Sequence, residues 1–458
     1  MSALARLTAE RGRYALLGAR VHRTALDPDA AARHRLDADG FAALDLVIDR
    51  GRIEDALPAG ADLGDLPGTA LGGRVVLPAF VDCHVHLDKG HVWPRAPNPD
   101  GTFDGALHAA GADREARWSA DDVGARMRFA LDSAFAHGTA AVRTHLDSPA
   151  PQERISWPVF EAVREEWAGR IELQAACLFG IDAVGDTAWF DALVRRVAAA
   201  GGVLGAVTYP IPDLDAHLDT VFAAALEHDL ELDFHADETQ DPESGTLDRI
   251  AAAATRHRFE RPILVGHCCS LARRSGAEAR RALDAVAATT IRIVSLPLCN
   301  LYLQDRRTDG TTPRRRGVTL VHEMAARGIE VSMASDNTRD PFYAYGDLDM
   351  LEVLRTAVRV AHLDHPLGDW PACVGATPAR AMSIGDRAGR IAPGRAADLV
   401  VCRGRSWSEV LSRPESAREV LRAGRAIDTT PPDYARLDGL FAPARTDPSG
   451  PDTRKSRS

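Results

Sequence analysis

The sequence predicts an α/β fold: a TIM-like (β/α)8 barrel with a small β-sandwich domain built from both termini. Two observations predict it. Eight short apolar runs recur through the middle of the chain with helical patterns between them. Both ends carry short strands broken by turn residues. Alternating strands and helices indicate a parallel sheet covered by helices, and eight repeats close such a sheet into a barrel.

The elements follow in order. YALLGARV and DLVIDRGRI, within residues 1–75, read as the N-terminal part of the small β domain. The barrel is assigned to residues 76–385. Its strands are the runs at 74–86, 140–146, 171–180, 202–209, 230–235, 262–267, 291–297 and 328–336. Each is too short for a helix and apolar on both faces, as strands buried on both sides are. DDVGARMRFALDSAFAHG, TAWFDALVRRVAAAG, LDTVFAAALEHD and LVHEMAARG place apolar residues at three- and four-residue spacing, and the last ends on Gly328, a C-cap position. ADLVVCRG and EVLRAGRAI, within 386–430, return to the small β domain. Residues 431–458 are rich in Pro, Asp and Arg and read as a loosely packed, partly disordered tail.

Composition excludes several function classes. The 458 residues are 45% hydrophobic and 26% charged, which is globular. The net charge of −10 argues against a broad nucleic-acid surface. No apolar run approaches the roughly 20 residues of a membrane span. The N-terminal stretch lacks the basic start, apolar core and cleavage site of a signal peptide, so the expected location is cytoplasmic. Seven cysteines form no CxxC pair and read as buried free thiols.

Barrel enzymes carry their chemistry at the C-terminal ends of the strands. The first strand here ends His84-Val85-His86, and residues two apart on a strand point the same way, so both imidazoles can converge on one ion. The fifth strand ends at His235, the sixth at His267 and the eighth at Asp336. His84, His86, His235 and Asp336 form a set that suits one divalent ion, zinc or ferrous iron, with a position left for water. Glu238, three residues after His235, reads either as a helix N-terminal carboxylate or as a proton shuttle beside that water, and the second is adopted. Lysine occurs only at 89 and 455. The fourth strand therefore offers no lysine to bridge two ions, and a single metal follows.

These segments, LPAFVDCHVHLDKG, NPDGTFDGAL, VRTHLD, HADET, GHCCS, LPLCNLYLQDR, TPRRRGVTLVHEM and SDNTRDPFYAYGDLDML, resemble the amidohydrolase superfamily, and within it the bacterial cytosine deaminase group. ATPARAMSIGDRAGRIAPGRAADLVV is similar to the superfamily's return from barrel to β domain. The resemblance covers residues 45 to 427. It implies that His267 contacts the metal-bound hydroxide rather than the metal, and that Asp336 is both ligand and base. It also implies homo-oligomeric assembly. The small nucleobase deaminases are a different class, whose HxE and PCxxC segments are absent here.

The implied reaction is attack of the metal-bound hydroxide on a cytosine-like nitrogen heterocycle. Glu238 protonates the adjacent ring nitrogen, Asp336 and His267 take the water's proton, and ammonia leaves. Substrate-reading positions depart from the group. Gly180 stands where those enzymes carry a glutamine that reads the pyrimidine amide edge. Asn337 stands where a second acid is usual, and Phe342 replaces a tryptophan. Lys89, in a nearly lysine-free chain, reads either as a solvated strand-end residue or as a group binding an anionic or carbonyl-bearing substrate. Trp93, Tyr209 and Phe342 could stack on a planar ring. Arg314, Arg315 and Arg316 read as a solvated loop. The alternatives are hydrolysis of an N-substituted aminotriazine or a cyclic amide at the same site and, third, a non-catalytic binding protein on this fold.

Overall fold

The computed structural model describes residues 2–9, 12–413 and 417–441. Both ends of the chain meet in one mixed sheet. Its strands are β1 (Tyr14–His22), β2 (Phe41–Asp49), β3 (Arg52–Pro58), β4 (Gly68–Ala70) and β5 (Val75–Pro78) from the N-terminal side. The C-terminal side contributes β14 (Leu399–Cys402), β15 (Arg418–Arg422) and β16 (Arg425–Ala426). The order is β16-β15-β14-β5-β1-β2-β3, with β4 also paired to β1. Leu16, Val21, Leu44, Leu46, Val76, Leu399, Val401 and Leu421 form its core, so burial ties residues nearly 400 positions apart into one unit.

The eight apolar runs of the middle region all form strands. They are β6 (Phe80–Val85), β7 (Thr139–Asp147), β8 (Glu172–Leu178), β9 (Leu204–Thr208), β10 (Leu232–Ala236), β11 (Ile263–His267), β12 (Ile291–Ser295) and β13 (Val331–Met333). They pair in parallel as β6-β7-β8 and as β9-β10-β11-β12-β13. Single parallel bridges join these two sheets at both edges: Ala176 to Val203 and Gly180 to Val207 at one, Val85 to Asp336 at the other. Both faces are buried because helices cover the outside and side chains fill the inside.

The helices form where periodicity and caps agree. Ser119 accepts a hydrogen bond from the Asp122 N–H and starts the helix Ala120–Ala136, which buries Val123, Met127, Ala130, Leu131 and Ala134. Ser275 and Glu278 form a capping box on Gly276–Ala287. The helix Val321–Ala325 gives way to Gly328 in the left-handed region at φ 74°.

Of the segment read as a loose tail, residues 434–441 form two short docked helices. Tyr434 packs on Phe129 at 5.5 Å between centroids, and the Arg339 guanidinium lies 4.2 Å over its ring. Arg436 pairs with Asp132 at 2.8 Å. Residues 442–458 lie outside the described residues. No helix among the described residues is long and apolar enough to cross a membrane.

Candidate metal centre

Strand geometry brings His84, His86 and His235 together and sets Asp336 against His84 and His86. His84 and His86 share a face of β6 and its extension, and His235 ends the inward row of β10. The Asp336 N–H donates to the His84 carbonyl at 2.9 Å, which locks the ends of the first and eighth strands together. Asp336 Oδ1 lies 3.2 Å from His86 Nε2 and 3.6 Å from His84 Nε2, and His86 Nε2 lies 3.3 Å from His235 Nε2. A tetrahedron of ligands about 2.0–2.1 Å from a zinc ion has edges of roughly 3.3–3.4 Å.

The fit is chemical as well as metric. Both ring nitrogens of His84, Nδ1 of His86 and of His235, Nε2 of His267 and both oxygens of Asp336 are buried without a hydrogen-bond partner. Buried polar atoms are normally satisfied, so this cluster of unpartnered imidazole nitrogens and carboxylate oxygens fits a cation that would take one lone pair from each group. Burial and the neighbouring histidines hold His84 and His235 well below the usual imidazole range, and burial with Lys89 does the same for His86. All three are therefore neutral, the form that ligates. Burial pushes the Asp336 carboxyl up to about 7, a penalty that a bound cation would reverse.

Local backbone supports this aim. His267 and Asp336 sit in the left-handed region, at φ 72° and 63°. Such conformations cost non-glycine residues about 1–3 kcal/mol and persist where the surroundings demand them. Gly266 is required for space: a Cβ there would stand 2.9 Å from Cε1 of His84.

Beside the four donors stands a proton-transfer group. His267 Nδ1 lies 3.3 Å from Glu238 Oε1. Asn300 Nδ2 donates to Glu238 Oε1 at 3.2 Å and lies 3.1 Å from His267 Nδ1. Gln304 Nε2 donates to the Glu238 carbonyl at 3.3 Å. Burial, then the charge of Asp336, raises the Glu238 carboxyl well above its ordinary range, and burial lowers His267 to about 3. Glu238 is not at a helix N-terminus: the next helix begins at Thr246, and Glu238 lies in the loop after β10.

Lys89 is not a solvated strand-end lysine. It is 6% exposed, its Nζ lies 3.0 Å from Asp147 Oδ1, and it sits 5.0 Å from the Phe342 ring centroid. Burial works against its charge, but Asp147, Asp88 and Asp340 outweigh it and hold the pKa above the usual lysine value. Asp147 also accepts from Arg114 at 2.9 Å. Asn337 donates to Asp340 at 2.7 Å and accepts from the Cys299 thiol at 3.6 Å. Asp340 therefore supplies a buried carboxylate three residues after the position where Asn337 replaces an acid. Phe342 packs edge-on against Phe103 at 5.6 Å.

The remaining residues separate. A Cβ on Gly180 would lie 2.5 Å from the Tyr209 hydroxyl, which donates to Asp182, so Tyr209 fills the space where a longer residue would begin. Trp93 is half-buried and donates its backbone N–H to Arg339. The backbones of Arg314 and Arg315 donate to Asp305, and Arg316 donates to the Leu301 carbonyl. Two groups were missed in the sequence. Asn300 lies inside the singled-out LPLCNLYLQDR segment, but its role needs the placement of the helix Pro297–Leu303. His145 is next to last in VRTHL, near the end of β7, the second barrel strand.

Residues 173–428 match the profile of the family described as "Amidohydrolase family". The chain is 53% identical over 404 residues to a pterin deaminase of Rhizobium rhizogenes (strain K84 / ATCC BAA-868), covering 88% of this chain and 92% of that protein. Among solved structures, it is similar to a 5-methylcytosine deaminase from Klebsiella pneumoniae liganded with 5-fluorocytosine, with TM-score 0.79 and 24% identity over 90% of this chain and 97% of that one. It is also similar to N-isopropylammelide isopropylaminohydrolase from Burkholderia multivorans, with TM-score 0.72 and 22% identity over 91% and 98%.

Proposed function

This chain belongs to the amidohydrolase superfamily, and we propose that it hydrolyses the exocyclic amine of a pterin-type ring. It is a hydrolase of carbon–nitrogen bonds outside peptides, and it deaminates a nitrogen heterocycle in a metal-dependent reaction. The observation that carries the proposal is Glu238, largely buried, its carboxyl pushed toward the neutral form and tied through Asn300 to His267 beside the convergent donors. A protonated carboxyl there can give its proton to a ring nitrogen next to the carbon under attack. In simple amide cleavage the nitrogen that takes the proton is the leaving group itself, so no second nitrogen needs an acid of its own.

The eight parallel strands, with bridges at both junctions of their two sheets, support a closed (β/α)8 barrel. His84, His86, His235 and Asp336 would hold one divalent ion, zinc or ferrous iron. The absence of lysine from β9 and the pairing of Lys89 with Asp147 support one ion rather than two. When bound, the ion would lower the pKa of a water toward neutrality. Asp336 and His267 would take that water's proton and orient its oxygen. Glu238 would protonate the ring nitrogen, the proton held by Asp336 would pass to the leaving amine, and the proton of the added hydroxyl would return to Glu238, so that one water is consumed and one ammonia released.

The pterin reading rests on the 53% identical relative and on the substrate side of the site. Gly180, filled by Tyr209, offers no side-chain amide to read a pyrimidine edge. Lys89 beside Phe342 offers a buried cation and an aromatic face, which suit a ring carbonyl on a planar bicycle. The test is ammonia release from pterin, isocytosine, cytosine and an N-alkyl aminotriazine by metal-loaded protein. Pterin is expected to turn over fastest, with the product's ultraviolet spectrum appearing in step. Cytosine turned over faster than pterin would contradict the assignment.

A further inference from the structure

His145, near the end of β7, has the arrangement of a ligand. It is fully buried at the inner side of β7. Its Nε2 lies 3.0 Å from Asp233 Oδ1, so the proton sits on Nε2 and is donated to the carboxylate. That leaves a lone pair on Nδ1, which is buried with no partner. The other oxygen of Asp233 faces Arg143, whose Nη2 pairs with Glu231 at 2.8 Å. The ring stands 4.1 Å from that of His84, 4.7 Å from His235 and 5.4 Å from His86, centroid to centroid. One ring nitrogen of each of these four histidines lies within 4.8 Å of the others.

A carboxylate behind a histidine, fixing its tautomer and leaving the other nitrogen bare, is the usual support of a metal-bound imidazole. His145 is the histidine of this group that has such support, while the second nitrogens of His84, His86 and His235 have no partner. We propose that His145 is a further nitrogen donor of the metal centre, carried by Asp233, so that the ion takes four imidazoles and Asp336. This rests on the reading that one divalent ion occupies the centre.

The test counts donors directly. X-ray absorption on the zinc-loaded protein should give one imidazole more in the wild type than in His145→Asn. The cobalt-substituted variant should show an altered visible spectrum. Both His145→Asn and Asp233→Asn should bind zinc about 10- to 100-fold more weakly in chelator competition. An unchanged count, spectrum and affinity in His145→Asn would overturn the proposal, as would a lowered melting temperature with an unchanged spectrum, the behaviour of a packing residue. Should His145→Asn not fold, the count in His267→Asn decides: four imidazoles support the proposal and three overturn it. A wild-type protein that takes up no ion would instead remove the metal reading itself.

Discussion

Glu238 and His267 face each other at 3.3 Å, Oε1 to Nδ1, with the amide of Asn300 within hydrogen-bond distance of both. Burial drives the carboxyl toward its neutral form and the imidazole toward its own. A carboxyl pushed toward its acid form thus stands next to an imidazole pushed toward its base form. Opposed shifts of this kind separate the two roles in acid–base catalysis.

Glu238→Gln therefore loses turnover by about 10²- to 10⁴-fold while binding the same amount of metal. Ammonia release and metal analysis on one preparation check this. Full activity in the variant would remove Glu238 from the reaction.

Asn300→Ala frees both partners from their common anchor. Misplacing a catalytic group by about 1 Å can cost up to about 10²-fold, and the loss should fall on kcat rather than KM. A variant with wild-type kcat would show that the bridge is not needed.

Lys89→Met removes a buried charged donor from the substrate side. Hydrogen bonds to charged groups contribute about 1.5–3 kcal/mol, so KM for pterin should rise about 10- to 100-fold with a smaller change in kcat. Because Asp147 keeps Arg114 as a partner, the fold should survive. An unchanged KM would place Lys89 outside the substrate contact.

His22 supplies a pH signature of stability. It ends β1 with 1% exposure, against Phe41 and Trp407, and burial, then Arg23, lowers it to about 4. The folded chain thus prefers the neutral ring, whereas the unfolded chain protonates near 6.5. Its contribution is complete above pH 6.5 and is lost as pH falls toward 4, at up to roughly 1.4 kcal/mol per unit. The stability advantage of the wild type over His22→Gln should narrow across that window. A constant difference would contradict it.

How much of this was legible in the sequence depends on where each partner lies. His84, His86, His235, His267 and Asp336 end apolar runs, so strand periodicity alone placed them at one end of the sheets. All eight runs became strands because each is buried on both faces. Asn300 was not legible as a partner of Glu238, because 62 residues separate them and only the helix after β12 brings them together. His145 was not legible as a supported donor, since its partner Asp233 lies 88 residues away. The docking of Tyr434 on Phe129 and Arg339 depends on tertiary contacts that a polar, proline-rich segment does not advertise.

The most direct measurement is titration of metal-depleted protein with zinc or ferrous iron while ammonia from pterin is followed. Activity should be absent without metal and should rise linearly to a plateau at about one ion per chain, as a single-metal centre requires. Pterin turnover by the metal-depleted protein, a plateau at two ions, or no turnover at any loading would contradict a single-metal pterin deaminase.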